Sequence, residues 1–329
     1  MKLATLKGGG RDGRLVVVSR DLQRAVSAAP VVATLLEALE RWDAVVPALD
    51  ALYGELNAGR ASAAFDFDPH AAAAPLPRAN QWMDASTFSS HGNLMKRALK
   101  LERQPQASAF PLILQGMPSD MYGPHDDEPV VAEDELIDFE AEMGIITGDV
   151  PARPTLEQAA AGIKLIVLIN DWSLRALVPP EIASGFGFLR SKAPTSFAPV
   201  AVTPDELGEA WRDGRVHLPV QVHYNGKHWG NPSAAGMDFS FFELIASAAT
   251  NRRLLPGTII GSGAISEGDP ARVGCACIAE MRGFEIINSG APTSQFMRFG
   301  DTMRIEMFAP DGGSIFGAVA QRVVQAPRR

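Results

Sequence analysis

The stretch "LIDFEAEMGIITG", residues 136–148, decides the fold. Asp138, Glu140 and Glu142 recur at every second position, and Ile137, Phe139, Ala141 and Met143 alternate with them. A period of two belongs to a β-strand, whose successive side chains point to opposite faces. The carboxylates then share one face, about 7 Å apart over two rises of roughly 3.3 Å. Such a row of like charges either looks into water or faces a cation. Glu is disfavoured in strands, and no basic residue nearby in sequence relieves the repulsion. Two Glu at alternate positions offer hard oxygen ligands of the kind that hold Ca2+ or Mg2+.

Working outward, "IKLIVLIN" (163–170) is almost continuously apolar, as a strand buried on both faces would be. "FPLILQ", "LPVQVHY" and "MRIEMFAP" add further strands, and "HYNGKHWG" centres a hairpin on Asn225-Gly226. "TLEQAAAGIK" and "FSFFELIASAATN" read as helices. "TPDELGEAW" opens a third, with Thr203 and Glu206 spaced as a capping box. Strands dominating over scattered helices predict an α+β, β-rich domain, not a doubly wound sheet.

Ahead of this domain, "MKLATLKGGGRDGRLVVVSRD" reads as two short strands joined by a glycine-rich hairpin. "TLLEALERWDAVVPALDALYGEL" is helical and predicted to break at Pro47. The Ala- and Pro-rich run that follows suits a linker. The predicted division is therefore a small α+β lobe over residues 1–76 and a catalytic domain over 77–329.

The 329 residues are 46% apolar and 21% charged, ordinary for a globular protein. A net charge of −8 argues against nucleic acid and anionic membrane as partners. No apolar run reaches the roughly 20 residues of a membrane span. The N-terminal stretch has no signal-peptide core, and the two cysteines, Cys275 and Cys277, make a poor disulfide, so a cytoplasmic protein is expected.

Three further stretches could carry chemistry. Asn170-Asp171 ends the buried 163–170 strand, with Trp172 and Arg175 following; a turn or cap is the plainer use of these residue types. In "WMDASTFSSHGNLMKRALK", Asp84 and His91 stand seven apart, and His91 opens a helical run through Lys100. A histidine with a carboxylate partner can act as a base near neutral pH. Arg97 and Lys100 follow as candidate anion-binding groups. Glu280 ends "CACIAE", read as a strand-like run. The glycines of "GTIIGSGAIS" match neither a phosphate loop nor a dinucleotide fingerprint, and Ser262 does not sit in a G-x-S-x-G elbow.

Taken together, "DFEAEM", "LINDWSLR", "GFGFLRSK" and "IIGSGAIS" resemble the fumarylacetoacetate hydrolase family over about residues 78–325, in its bacterial form with a small N-terminal lobe. The resemblance implies a β-sandwich or roll assembled as a homodimer. It implies that Asp84, Glu140, Glu142 and Asp171 hold a divalent cation, Mg2+ or Ca2+ with Mn2+ as another candidate. His91 becomes the base, Glu280 its acidic partner, and Arg175 and Lys192 the groups that stabilise an oxyanion. Asp138 has no metal role in the family and is expected to face solvent or to support the ligands. The chain departs from the pattern at the substrate pocket. Val178 stands near the place of an oxyanion-hole glutamine, Ala264 replaces a threonine, and Ser86 replaces an aromatic hydroxyl. The family's substrate-binding arginine falls to Arg97 or Lys100.

The implied reaction is metal-dependent hydrolysis of a carbon–carbon bond in a β-diketo acid, foremost fumarylacetoacetate to fumarate and acetoacetate. An acylpyruvate hydrolase or an oxaloacetate-type decarboxylase on the same metal is the alternative. A decarboxylase needs no attacking water, so the presence of both His91 and Glu280 favours hydrolysis. A non-catalytic cation-binding protein is the third reading.

Overall fold

The structure, a computed structural model, describes residues 1–100 and 110–327. Its spine is an eleven-stranded sheet. Ten strands run in the order Phe65–Asp66, Arg24–Ser27, Arg14–Val18, Lys2–Leu6, Ala201–Val202, Ile163–Asn170, Ala141–Thr147, Thr258–Gly261, Gln81–Ala85 and Ile113–Gly116. Neighbours are antiparallel except Thr258–Gly261 with Gln81–Ala85, which are parallel. Lys2 and Leu3 pair with Val202 and Ala201, so the sheet of the N-terminal lobe continues into that of the rest of the chain.

Both faces of this sheet are covered, which explains the continuous apolar run at 163–170. Ile166 and Leu168 pack into one core, with Val220, Val222, Met303 and Ile305 of a separate five-stranded sheet. Leu165, Val167 and Ile169 pack into another, with Leu39, Val45, Leu49 and Tyr53 of the N-terminal helices. The result is the predicted β-rich α+β sandwich, with the lobe's helices as an outer layer. Asn225 and Gly226 have φ of 50° and 73° and close the hairpin between Val220–Tyr224 and Lys227–Gly230, as its Asn-Gly pair predicts.

Several local expectations fail, each for a physical reason. The helical run breaks at Arg41, and Pro47 lies inside the helix Trp42–Asn57. Pro47 is on the exposed side, while Val45, Leu49, Tyr53 and Leu56 bury a stripe that carries the helix past one missing N–H. Pro204–Ala210 is a 3-10 helix without a side-chain cap; Thr203 and Glu206 instead meet the amino group of Met1. "CACIAE" is not a strand. Cys277 is the N-cap of the helix Ile278–Ser289, and Glu280 lies in its first turn. A cysteine cap is a weak signal, because Ser, Thr, Asp and Asn are the usual caps.

Candidate active site

The acid strand is not one strand and does not face water. Ile137–Asp138 pairs with Ser173–Leu174, Glu140 makes a single bridge to Cys277, and Ala141–Thr147 joins the large sheet. Asp138 and Glu142 are fully buried and Glu140 is 6% exposed. The solvated alternative is thereby overturned: the acids are inside, where a row of like charges needs partners.

Three acids converge where neighbouring strands end. Glu142 comes from Ala141–Thr147, Asp84 from Gln81–Ala85, and Asp171 follows Ile163–Asn170. Each places an oxygen within 4.8 Å of the other two. Between the first two strands runs Thr258–Gly261, and its Gly261 makes the meeting possible. A Cβ there would lie 2.7 Å from Asp84 Oδ1, 3.0 Å from Glu142 Oε2 and 2.5 Å from the Trp82 ring. Asp84 Oδ1 also accepts from the Gly263 N–H at 3.1 Å.

The electrostatics of this group are unfavourable as it stands. Burial, then the neighbouring Asp171, pushes the Asp84 carboxyl up to about 7. Burial and the same neighbours, Asp84 foremost, push Glu142 well above the carboxylate range. Neither Glu142 oxygen finds a hydrogen-bond donor among the described residues. An all-carboxylate donor set with an orphaned, fully buried member fits a hard divalent ion, which would supply the missing positive charge.

Glu140 lies outside this group. Its Oε1 accepts from Arg175 Nη2 at 2.5 Å and its Oε2 from Lys192 Nζ at 2.7 Å. Burial would raise its carboxyl, but Arg175 and Lys192 more than offset that and hold it below the usual range. Lys192 also reaches Asp171 at 2.5 Å and Ser173 Oγ at 2.8 Å. Burial opposes its charged form, and Asp171 and Glu140 outweigh that and hold it charged. Asp138 is neither solvated nor a member of the cluster. It accepts from the Ile278 and Ala279 N–H groups at 2.7 and 3.0 Å and from Arg175 Nε at 2.8 Å. It thus clamps Arg175 to the start of the helix that carries Glu280.

His91 sits in the first turn of the helix Ser89–Ala98, with its side chain 22% exposed. Its Nδ1 faces Glu280 Oε2 at 3.7 Å, and the other Glu280 oxygen accepts from Ser266 Oγ at 2.5 Å. The imidazole, Arg175 and Val178 line a cavity of about 290 Å3. Asp171 and Lys192 line a second cavity of about 240 Å3. The Arg175–Glu140–Lys192 bridge runs from one cavity to the other.

The remaining candidates divide. Ala264 is buried and Ser86 exposed, and neither lines these cavities. Arg97 and Lys100 are exposed and do not line them either. Met95 and Leu99, one and two helical turns past His91, share its wall, which leaves Arg97 on another side of the helix. Arg282, which sequence reasoning passed over, lines the His91 cavity instead, stacked 4.6 Å over Phe296 and donating to the Ser294 carbonyl. Its place four residues before Ile286, on the helix Ile278–Ser289, is the signal that could have found it. Among the described residues no glutamine lines that cavity beside Val178, but Gln115 lines the second one beside Asp171 and Lys192.

Comparison with known proteins agrees with this picture. Residues 1–78 match the family model for fumarylacetoacetase N-terminal domain 2, and residues 81–324 match that for the fumarylacetoacetate hydrolase C-terminal domain. A curated relative, 2,4-didehydro-3-deoxy-L-rhamnonate hydrolase from Sphingomonas sp. (strain SKA58), is 27% identical over 156 residues, 46% of this chain and 52% of its own length. The chain spans about half the length of the curated relatives it matches. The fold is shared with fumarylacetoacetate hydrolase from Exiguobacterium antarcticum (TM-score 0.68, 19% identity, 99% of both chains). It is shared as well with maleylpyruvate hydrolase from Sphingobium sp. SYK-6, solved with manganese(II) and pyruvate (TM-score 0.66, 17% identity, 99% of this chain and 100% of that one). With two adjoining family models covering nearly all of its length, the chain belongs to the fumarylacetoacetate hydrolase family.

Proposed function

We propose that the protein is a divalent-metal-dependent hydrolase that cleaves the carbon–carbon bond of a small diketo acid. Fumarylacetoacetate is the first substrate to test and acylpyruvates the second. The observation that carries this reading is the buried, donorless Glu142 between Asp84 and Asp171, in a fold that also sets His91 against Glu280. The names of the relatives support it, since they hydrolyse fumarylacetoacetate, maleylpyruvate and a didehydro sugar acid.

A metal held by Asp84, Glu142 and Asp171 would polarise the substrate's carbonyl oxygens. His91, partly open to its cavity, takes a proton from the attacking water, and the buried Glu280 facing Nδ1 stabilises the imidazolium that forms. Arg175, at the His91 cavity, and Lys192, at the second, bring positive charge toward the developing oxyanion. Their carboxylate clamps, Asp138 with Glu140 and Glu140 with Asp171, fix their positions. Arg282, braced on Phe296, receives a carboxylate of the substrate at the cavity wall. The assembly proposed with this activity is a homodimer.

Turnover of fumarylacetoacetate and of an acylpyruvate, followed by loss of ultraviolet absorbance, tests the reading. Activity disappears on chelation and returns with Mg2+, Mn2+ or Ca2+. His91→Ala abolishes hydrolysis; a variant that still decarboxylates oxaloacetate would move the protein to the lyases. Full turnover in metal-free protein would contradict the proposal.

A further inference from the structure

His91, Cys277 and Glu280 place Nδ1, Sγ and a carboxylate oxygen within 4.8 Å of one another, apart from the three-carboxylate group. Two of these atoms, His91 Nδ1 and Glu280 Oε2, are buried without any hydrogen-bond partner among the described residues. They stand 3.7 Å apart, too far for a hydrogen bond. Two ligands of a tetrahedral ion bound at about 2.0–2.3 Å stand roughly 3.3–3.8 Å apart, so the gap fits an ion between them. The third donor, Cys277, is fully buried and free of any disulfide.

We infer that His91, Cys277 and Glu280 form a second, soft-metal site selective for zinc, which shuts off the base. A nitrogen, a thiolate and one carboxylate suit zinc, whereas the all-oxygen set suits Mg2+ or Ca2+. Thiolate and carboxylate neutralise the dication, which offsets its place near the positive end of a helix. Binding breaks the S–H bond of Cys277, releases that proton to solvent and forms the zinc–sulfur bond; no oxidation occurs. With zinc on Nδ1, Nε2 must carry the remaining proton and cannot accept one from water. This inhibitory consequence rests on the hydrolase reading; the binding itself does not.

The test uses the intact protein with its carboxylate site saturated by Mg2+ and titrates Co2+ as a coloured stand-in for zinc. Wild-type protein develops a thiolate-to-cobalt charge-transfer band at one ion per chain, and added zinc erases it. Cys277→Ser keeps a capping oxygen for the helix and loses the band, while Cys275→Ser retains it. Where turnover is measurable, Cys277→Ser raises the zinc needed for half-inhibition by about 100-fold or more, since even supporting partners of a metal site cost 10–100-fold. A band without turnover of any diketo acid supports the site and sinks the hydrolase reading. No band in the wild type, which needs no variant, or equal cobalt affinity in Cys277→Ser, overturns the zinc site.

Discussion

Glu140 and Glu142 lie two residues apart, both buried, and meet opposite surroundings. Glu140 is gripped by a guanidinium and an ammonium, so its carboxyl is held low. Glu142 is buried beside Asp84 and Asp171 with no hydrogen-bond donor on either oxygen among the described residues, so burial and those carboxylates drive its carboxyl high despite the nearby Lys192. Identical side chains on a shared stretch of backbone thus do different work. Glu140 pairs with the protein's own cations and so positions Arg175 and Lys192, while Glu142 completes the three-carboxylate group proposed to hold a cation from outside.

The largest break in this comparison is Glu140→Gln. It leaves Arg175 and Lys192 short of a buried counter-charge and costs about 3–5 kcal/mol of stability, read by denaturant unfolding. Glu142→Gln should act in the opposite direction on metal-free protein. It removes the cost of keeping a buried carboxyl protonated at neutral pH and raises stability on the order of 1 kcal/mol, so that an equal loss in both variants would erase the distinction.

Gly261→Ala tests the space between the acids. The added methyl carbon collides with Trp82 and Asp84, costs about 1–3 kcal/mol, and weakens metal binding by displacing Asp84. Unchanged metal affinity would show that the two carboxylates do not need that gap.

A smaller effect follows from pH. Asp84, with its carboxyl near 7 in the folded chain against an ordinary 3.8, keeps a proton that the unfolded chain has already lost. Its contribution to metal-free stability is complete below about pH 4 and is lost as pH rises through about 7. A bound ion removes the need for that proton. The melting-temperature gap between metal-loaded and metal-free protein therefore widens from about pH 6 to about pH 8, and a gap that narrows would contradict this charge assignment. The mildest expected change is Arg97→Ala, which alters KM by less than about twofold, as for a surface group. Arg282→Ala, in the cavity wall, raises KM clearly more, measured on the same diketo acid.

Much of this was legible in the chain. The apolar run at 163–170 and Asn225-Gly226 each name their element, because burial and turn chemistry are local properties; the alternation at 136–148 marks extended chain but not its division into Ile137–Asp138 and Ala141–Thr147 in two sheets. Asp84, Glu140, Glu142 and Asp171 could be named together as candidate metal ligands, and His91 with Glu280 as candidate base and partner, only through family resemblance. Their convergence depends on pairing between strands far apart in sequence. What could not be read was partnership across the fold. Nothing near Glu140 in sequence reveals Lys192, and nothing near Asp138 reveals the helix start at Ile278. The strand reading of "CACIAE" failed because five apolar residues in a row do not distinguish a strand from the buried start of a helix.

The central claim is that Glu142 awaits a cation which Asp84 and Asp171 share. Calorimetric titration of Mn2+ into wild-type and Glu142→Gln protein tests it most directly. One ion per chain in the wild type, with affinity at least about 100-fold weaker in the variant, is the predicted result. Equal binding in both proteins, or none in the wild type, would contradict the account.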